Sequence, residues 1–157
     1  MTEQPDLAAV TQVQQQIWSK GDFAMVASLV YNASESLAEA LDLVPDERVL
    51  DVACGSGNGA IAAARRTWGN VVGADYVPSL LERGRERAAA ERLDVEFVEA
   101  EAEALPFEDA SFDVAMSIYG AMFAPPSDVI WCWFEPSAFI TQISILFGRT
   151  SRCLSKS

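Results

Sequence analysis

The chain has no histidine among its 157 residues. That removes the side chain most often used as a general base near neutral pH, and the commonest metal ligand. Cysteine is scarce. Cys54, Cys132 and Cys153 form neither a disulfide framework nor a metal-binding spacing, so a reduced, cytoplasmic protein with no bound metal is expected. Basic residues are few: 11 Lys and Arg stand against 23 Asp and Glu, a net charge of −12. A nucleic-acid partner would need a basic face, so none is expected. No basic leader precedes an apolar stretch and a cleavage site, which argues against a signal peptide. The apolar stretch at 129–147 is broken by Glu135, Pro136 and Gln142, and no membrane span is expected. What remains is half hydrophobic by residue, enough for one globular domain with a real core.

The charge is unevenly spread. Residues 114–157 hold two acids, Asp128 and Glu135, and three bases, Arg149, Arg152 and Lys156. The other 21 acids and 8 bases lie in 1–113. Composition changes at the same place, to WCWF, FITQISILF and a Ser/Arg-rich tail.

The periodicities alternate. Leu7, Val10, Gln14 and Ile17 lie at helical spacing and predict an amphipathic helix over 6–18. SKGD at 19–22 reads as a break, and 23–43 as helix ended by Pro45-Asp46. A strand is expected over 48–53, where all residues after Arg48 are apolar apart from Asp51, as in a strand buried on both faces. A helix over 58–67 and a strand over 71–74 follow. Pro78 suits a first helical turn, Ser79 and Glu82 have capping-box spacing, and the helix should reach about residue 92. Strands are expected at 95–98 and 112–117, with an acidic loop at 100–111 between them. Ile143, Ile145 and Phe147 alternate as in a further strand. This order predicts an α/β fold: a parallel sheet with right-handed crossovers, and a ligand at the carboxyl ends of its strands. Asp51, 55–59, Asp75, the 100–107 loop and Ser117 all fall at that edge.

The glycine turn carries the first chemistry. Gly55, Gly57 and Ala60 match the spacing of a dinucleotide fingerprint, although glycines at a strand–helix turn also serve structure alone. Asp51 separates the ligand classes. A dinucleotide sets its pyrophosphate against the helix N-terminus, where a carboxylate would repel it. S-adenosylmethionine (SAM) has no phosphate and carries a sulfonium and an ammonium, which a carboxylate favours. Asp75 ends the second apolar run, VVGAD, and can accept from both ribose hydroxyls of an adenosine. Nicotinamide enzymes use the same device, so Asp75 alone does not tell SAM from NAD. It also suits the start of a helix through the dipole.

With VLDVACGSGNG at 49–59 and VVGAD at 71–75, the segment AEAEALPFEDASFDVAMS at 100–117 resembles the class I SAM-dependent methyltransferases. The likeness is to the ubiquinone/menaquinone-biosynthesis subgroup. Leu105, Pro106 and Phe107, then Ser111, Phe112 and Asp113, match that subgroup, as does YGAMFAPP at 119–126. The resemblance spans roughly residues 15–126. It implies a Rossmann-like sheet, with a helical lid over 1–44, a SAM-binding core over 45–128 and an atypical segment over 129–157. It further implies that Ala53, Cys54, Gly55, Ser56 and Gly57 form the turn around the methionine part of SAM, with Asp51 near the amino group. Asp75 would bind the ribose and Tyr76 would pack on the adenine. Glu101 stands where the family aspartate meets the adenine amine, Ala102 would offer its N–H to the ring, and Ser117 closes the edge. Cys54 is expected to be structural, since nothing nearby lowers its pKa. Trp18, Gly21, Asp22 and Phe23 lie where relatives fold the lid, a pattern that plain helix packing also explains.

The resemblance stops near Asp128. The family's acidic helix, Arg-Pro-Gly-Gly turn, fifth strand and antiparallel pair do not follow in recognisable form, so a truncated or divergent C-terminus is expected. An incomplete sheet would leave an open edge and favour self-association. The activity implied is methyl transfer from SAM to a small molecule, releasing S-adenosylhomocysteine (SAH). A base is needed only if the acceptor must lose a proton, and Tyr119 or a carboxylate would supply it. The competing readings are a catalytically impaired SAM-binding remnant or interaction module, and a nicotinamide-dependent oxidoreductase.

Overall fold

The computed structural model describes residues 7–21, 23–123 and 145–149. Three helices come first: α1 (Leu7–Lys20), α2 (Phe23–Leu29) and α3 (Tyr31–Ala40). Then β1 (Val49–Val52), α4 (Asn58–Thr67), β2 (Val71–Asp75), α5 (Pro78–Ala90) and β3 (Val95–Glu99) alternate, followed by β4 (Val114–Ile118), a 3₁₀ turn at Gly120–Phe123, and β5 (Ile145–Arg149). The sheet order is β3-β2-β1-β4-β5. β1, β2, β3 and β4 are parallel, and β5 runs antiparallel to β4. The fold is therefore the expected α/β sheet.

Every residue of β1 and β2 is buried, which explains why both strands read as apolar apart from Asp51 and the terminal Asp75. Side chains alternate between two faces. Val49 and Val71 join Leu37, Ile61, Leu81 and Phe97 under the helices. Leu50, Val52 and Val72 join Phe112 and Ala115 on the other face, where Leu105 and Phe107 of the acidic loop pack against them. The loop is acidic in composition but anchored by its apolar members. Phe107 meets Phe112 edge to face at 5.1 Å, and the Arg48 guanidinium lies 4.6 Å over the Phe112 ring.

Three expectations change and one holds. The 23–43 helix is two helices broken at Val30. Helix α1 leaves much of its predicted stripe exposed: Val10 and Ile17 face outward, while Gln14 borders the cleft at the carboxyl ends of the strands. No capping box forms on α5. Val77 takes the N-cap with no side-chain bond of its own, its N–H donates to Asp75 Oδ1 at 2.9 Å, and Glu82 pairs with Arg85 at 3.1 Å instead. The further strand expected from the alternation of Ile145 and Phe147 is present as β5, paired antiparallel with β4. Ile143, Asp22 and 129–144 lie outside the described residues.

Arg65 of α4 binds Glu91 of α5, at 2.7 Å, and also Tyr31 and Glu35 of α3, while Arg66 meets Glu35 at 3.0 Å. These side chains are about a third exposed, so each pair is worth no more than about 1 kcal/mol. The network ties three helices together but does not decide the fold.

Candidate functional site

A cleft of about 380 Å³ opens at the carboxyl ends of β1, β2 and β4. Its floor is the turn between β1 and α4. Ala53 leaves β1 in the left-handed region, at φ 54°, and Gly57 caps α4 at φ 80°. Glycine suits that cap on two counts: the backbone is left-handed, and a Cβ there would sit 2.9 Å from the Phe97 ring. Cys54 N–H donates to the Ala74 carbonyl at 3.0 Å, which fixes the turn against β2.

Asp51 is 1% exposed, and its Oδ2 accepts from the Ala60 N–H at 2.7 Å. Its Oδ1 is buried with no partner. Burial pushes its carboxyl up to about 7; the Ala60 hydrogen bond opposes this and the nearby Asp75 charge adds to it. Gly59 makes room for this carboxylate, since a Cβ at Gly59 would lie 2.6 Å from Oδ2. Gly59→Ala is expected to cost about 1–3 kcal/mol by overcrowding, read as a lower denaturant midpoint with an unchanged slope.

Asp75 spends one acceptor position of each oxygen on the backbone. Oδ2 takes the Gly55 N–H at 2.8 Å and Oδ1 the Val77 N–H at 2.9 Å. Burial raises its pKa, and these bonds oppose the rise. Tyr76, next in the chain, is pushed up to about 12 by burial and by Asp75, Glu103 and Glu101. Its carbonyl accepts from Gln15 Nε2 at 2.6 Å, which ties α1 across the cleft. Burial, then Asp51 and Asp75, raise the Cys54 thiol, so it is no thiolate nucleophile.

Of the expected residues, Asp51, Ala53, Cys54, Gly55, Ser56, Asp75, Tyr76, Glu101 and Ala102 border the cleft. Gly57 and Ser117 stand behind it. Ser117 is fully buried, and its Oγ accepts the Ala121 N–H at 3.1 Å, closing the 3₁₀ turn. Trp18 borders the cleft and meets Phe123 edge to face at 4.9 Å. Gly21 does not border it, and the side chain of Phe23 lies outside the described residues. Thr11, Gln14, Val26 and Ala27, not singled out by the sequence, also line the cleft, as does Asn58 of the 55–59 turn expected at the ligand edge. Thr11, Gln14 and Trp18 share a helical face beside the Val10–Ile17 stripe, so the periodicity marked the helix but not which side of it meets the cleft.

The charged side chains on the cleft are Asp51, Asp75, Glu101 and Glu103, with no lysine or arginine among its described lining. Such a site repels phosphates and attracts cationic groups. Among the described residues no helix is long and apolar enough to cross a membrane.

Residues 49–154 match the model of a methyltransferase domain. The match continues past residue 128, where composition changes. The chain is 44% identical over 110 residues to an uncharacterized protein of Mycobacterium tuberculosis, covering 69% of this chain and 40% of that one. It is 44% identical over 84 residues to a demethylmenaquinone methyltransferase of Deinococcus radiodurans, covering 53% of this chain and 34% of that one. The chain thus spans two fifths or less of the length of these relatives. Among solved structures, a SAM-dependent methyltransferase of Thiobacillus denitrificans, in complex with SAH, matches with TM-score 0.53 and 26% identity, over 61% of this chain and 39% of that one. The chain belongs to the methyltransferase-domain family, and its sheet is the Rossmann-like sheet of the class I SAM-dependent methyltransferases.

Proposed function

We propose that the cleft binds SAM and that the protein transfers its methyl group to a small-molecule acceptor. One observation carries the reading: a fully buried carboxylate, Asp51, borders the cleft with one oxygen unpartnered. A buried acceptor with nothing to accept costs about 1–3 kcal/mol. An ammonium would satisfy it, and the acids around the cleft favour the same sign of charge. The donor set therefore fits SAM and fits a pyrophosphate poorly, which disfavours a nicotinamide dinucleotide.

Asp51 would hold the amino group, and Gly55 and Ser56 would lie along the methionine chain. Asp75 would accept from the ribose hydroxyls through its remaining lone pairs. Tyr76 would pack on the adenine, with Glu101 and Ala102 at its polar edge. When bound, SAM supplies a methyl group already activated by the sulfonium. What this chain adds is placement and dryness. Trp18, Val26, Met122 and Phe123 surround the cleft with apolar surface that excludes water, and the Gln15–Tyr76 bond holds α1 over it. The acceptor is small and, given this surface, largely apolar. Support comes from family membership and from the SAH-bound relative.

Calorimetric titration with SAH tests the reading without knowledge of the acceptor. Saturable one-to-one binding, with NADH giving no heat, is expected. A folded sample that binds no SAH would sink it.

A further inference from the structure

Arg87 lies on α5, outside the cleft. A single nitrogen, Nη1, donates to the Ser56 carbonyl at 2.7 Å, the Ser56 hydroxyl at 3.3 Å and Asn58 Oδ1 at 2.8 Å. All three partners are neutral oxygens. Arg65, Arg66 and Arg85 all pair with carboxylates instead. Among the described residues no carboxylate hydrogen-bonds Arg87, and burial outweighs the help it draws from the charge of Glu91, so the contact is a costly way to gain stability. Its partners show what it does gain, because both belong to the turn that floors the cleft.

Asn58 extends the chain of contacts. Its Nδ2 donates to the Ala27 carbonyl of α2 at 2.7 Å. The two ends of this amide are not interchangeable. Arginine only donates, so the amide oxygen must face Arg87, and a carbonyl only accepts, so the amide nitrogen must face Ala27. Arg87 thereby dictates which way Asn58 points, and Asn58 holds α2. Among the described side chains of that helix, Met25 and Leu29 are 64% and 78% exposed. Ser56, Asn58 and Ala27 all border the cleft, and Arg87 does not.

We propose that Arg87 is a positioning residue that sets the glycine turn and, through the oriented amide of Asn58, anchors α2 at the cleft. Its bearing on the cofactor rests on the SAM reading above; the anchoring itself does not.

Amide hydrogen exchange on the free full chain tests the anchoring. Arg87→Met keeps the stem and removes the donor. Exchange in Phe23–Leu29 should rise about tenfold, with β1 and β2 unchanged. Asn58→Ala should do the same, and the double variant should be no faster in α2 than either single variant, because the contacts act in series. A rise confined to Pro78–Ala90 and β3, or additive effects in α2, would overturn the proposal. Should Arg87→Met fail to fold, the isosteric Asn58→Asp decides. It keeps an oxygen for Arg87 but turns an oxygen on Ala27, so α2 must lose protection, and unchanged protection refutes the relay. In a separate arm, Arg87→Met should speed SAH dissociation about tenfold. Wild-type protein that binds no SAH would remove the cofactor reading and leave the exchange result to judge the anchor. Wild-type binding with an unchanged dissociation rate in Arg87→Met would remove the role at the turn.

Discussion

Asp75→Ala is expected to weaken SAH binding by at least about 100-fold, enough to erase the calorimetric signal. Hydrogen bonds to a charged acceptor are worth about 1.5–3 kcal/mol each, and two ribose hydroxyls would lose theirs together. A second loss adds to this, since the same carboxylate holds the Gly55 and Val77 N–H groups at 2.8 and 2.9 Å. Without it the glycine turn and the start of α5 lose a shared anchor. The stability cost is smaller than two orphaned donors suggest, because removing a buried carboxylate also removes its desolvation penalty. We expect about 1–3 kcal/mol, read from denaturant midpoints. Asp75→Asn separates the roles. Its one oxygen can keep either the Gly55 or the Val77 bond, and its amide nitrogen opposes the other donor. It should fold better than Asp75→Ala and still bind SAH poorly. A folded Asp75→Ala protein that binds SAH within threefold of wild type would end the ribose assignment.

Asp75 also shows how much of the molecule the sequence discloses. Its place was legible because β1 and β2 are buried on both faces, so β1 reads as apolar apart from Asp51 and β2 as an apolar run ending in Asp75 at the ligand edge. Its second duty was not legible. Ser79 and Glu82 have the spacing of a capping box, yet the N–H of the N-cap residue Val77 is satisfied by Asp75, two residues upstream. A nearer acceptor upstream displaced the expected one downstream. On α1, Val10, Gln14 and Ile17 set the periodicity, yet Val10 and Ile17 are exposed while Gln14 borders the cleft with Thr11 and Trp18. Periodicity reports an apolar stripe, not what covers it. Ser117 sat at the right edge by strand position, but pleating turned its hydroxyl to the backbone of the 3₁₀ turn. Arg87 carries no sequence signature at all, because its partners are a carbonyl, a hydroxyl and an amide about thirty residues away. Strands and glycine turns are written locally, while the contacts that aim them are written in the packing.

Asp51→Asn is expected to make the protein more stable above neutral pH and a poorer binder. Burial lifts the Asp51 carboxyl to about 7, against about 3.9 in an unfolded chain. A raised folded-state value means the native protein holds this proton more tightly. The associated stability is fully present below about pH 4, is lost as pH rises toward 7, and stays lost above it. The ceiling on that loss is about 4 kcal/mol. Asparagine cannot ionise, so the difference between variant and wild type should grow from pH 4 to 7 and then level off. Asp75 and Glu103, also raised by burial, and Glu35, lowered through Arg66 and Tyr31 against its own burial, titrate in both proteins and largely cancel in that difference. The binding effect has the opposite sign. The Ala60 N–H, 2.7 Å from Oδ2, demands an acceptor, so asparagine must set its oxygen there and its NH₂ where Oδ1 now stands unpartnered. A donor would then face the ammonium of SAH, and affinity should fall about 10- to 100-fold. In wild-type protein below pH 7, binding should release a proton, seen as a heat that varies with the ionisation enthalpy of the buffer. The variant should show no such dependence. Denaturant midpoints at pH 5 and 8 and titrations in two buffers decide it. A variant less stable than wild type at pH 8, or one that binds SAH equally well, would mean the empty oxygen of Asp51 is not kept for the ligand.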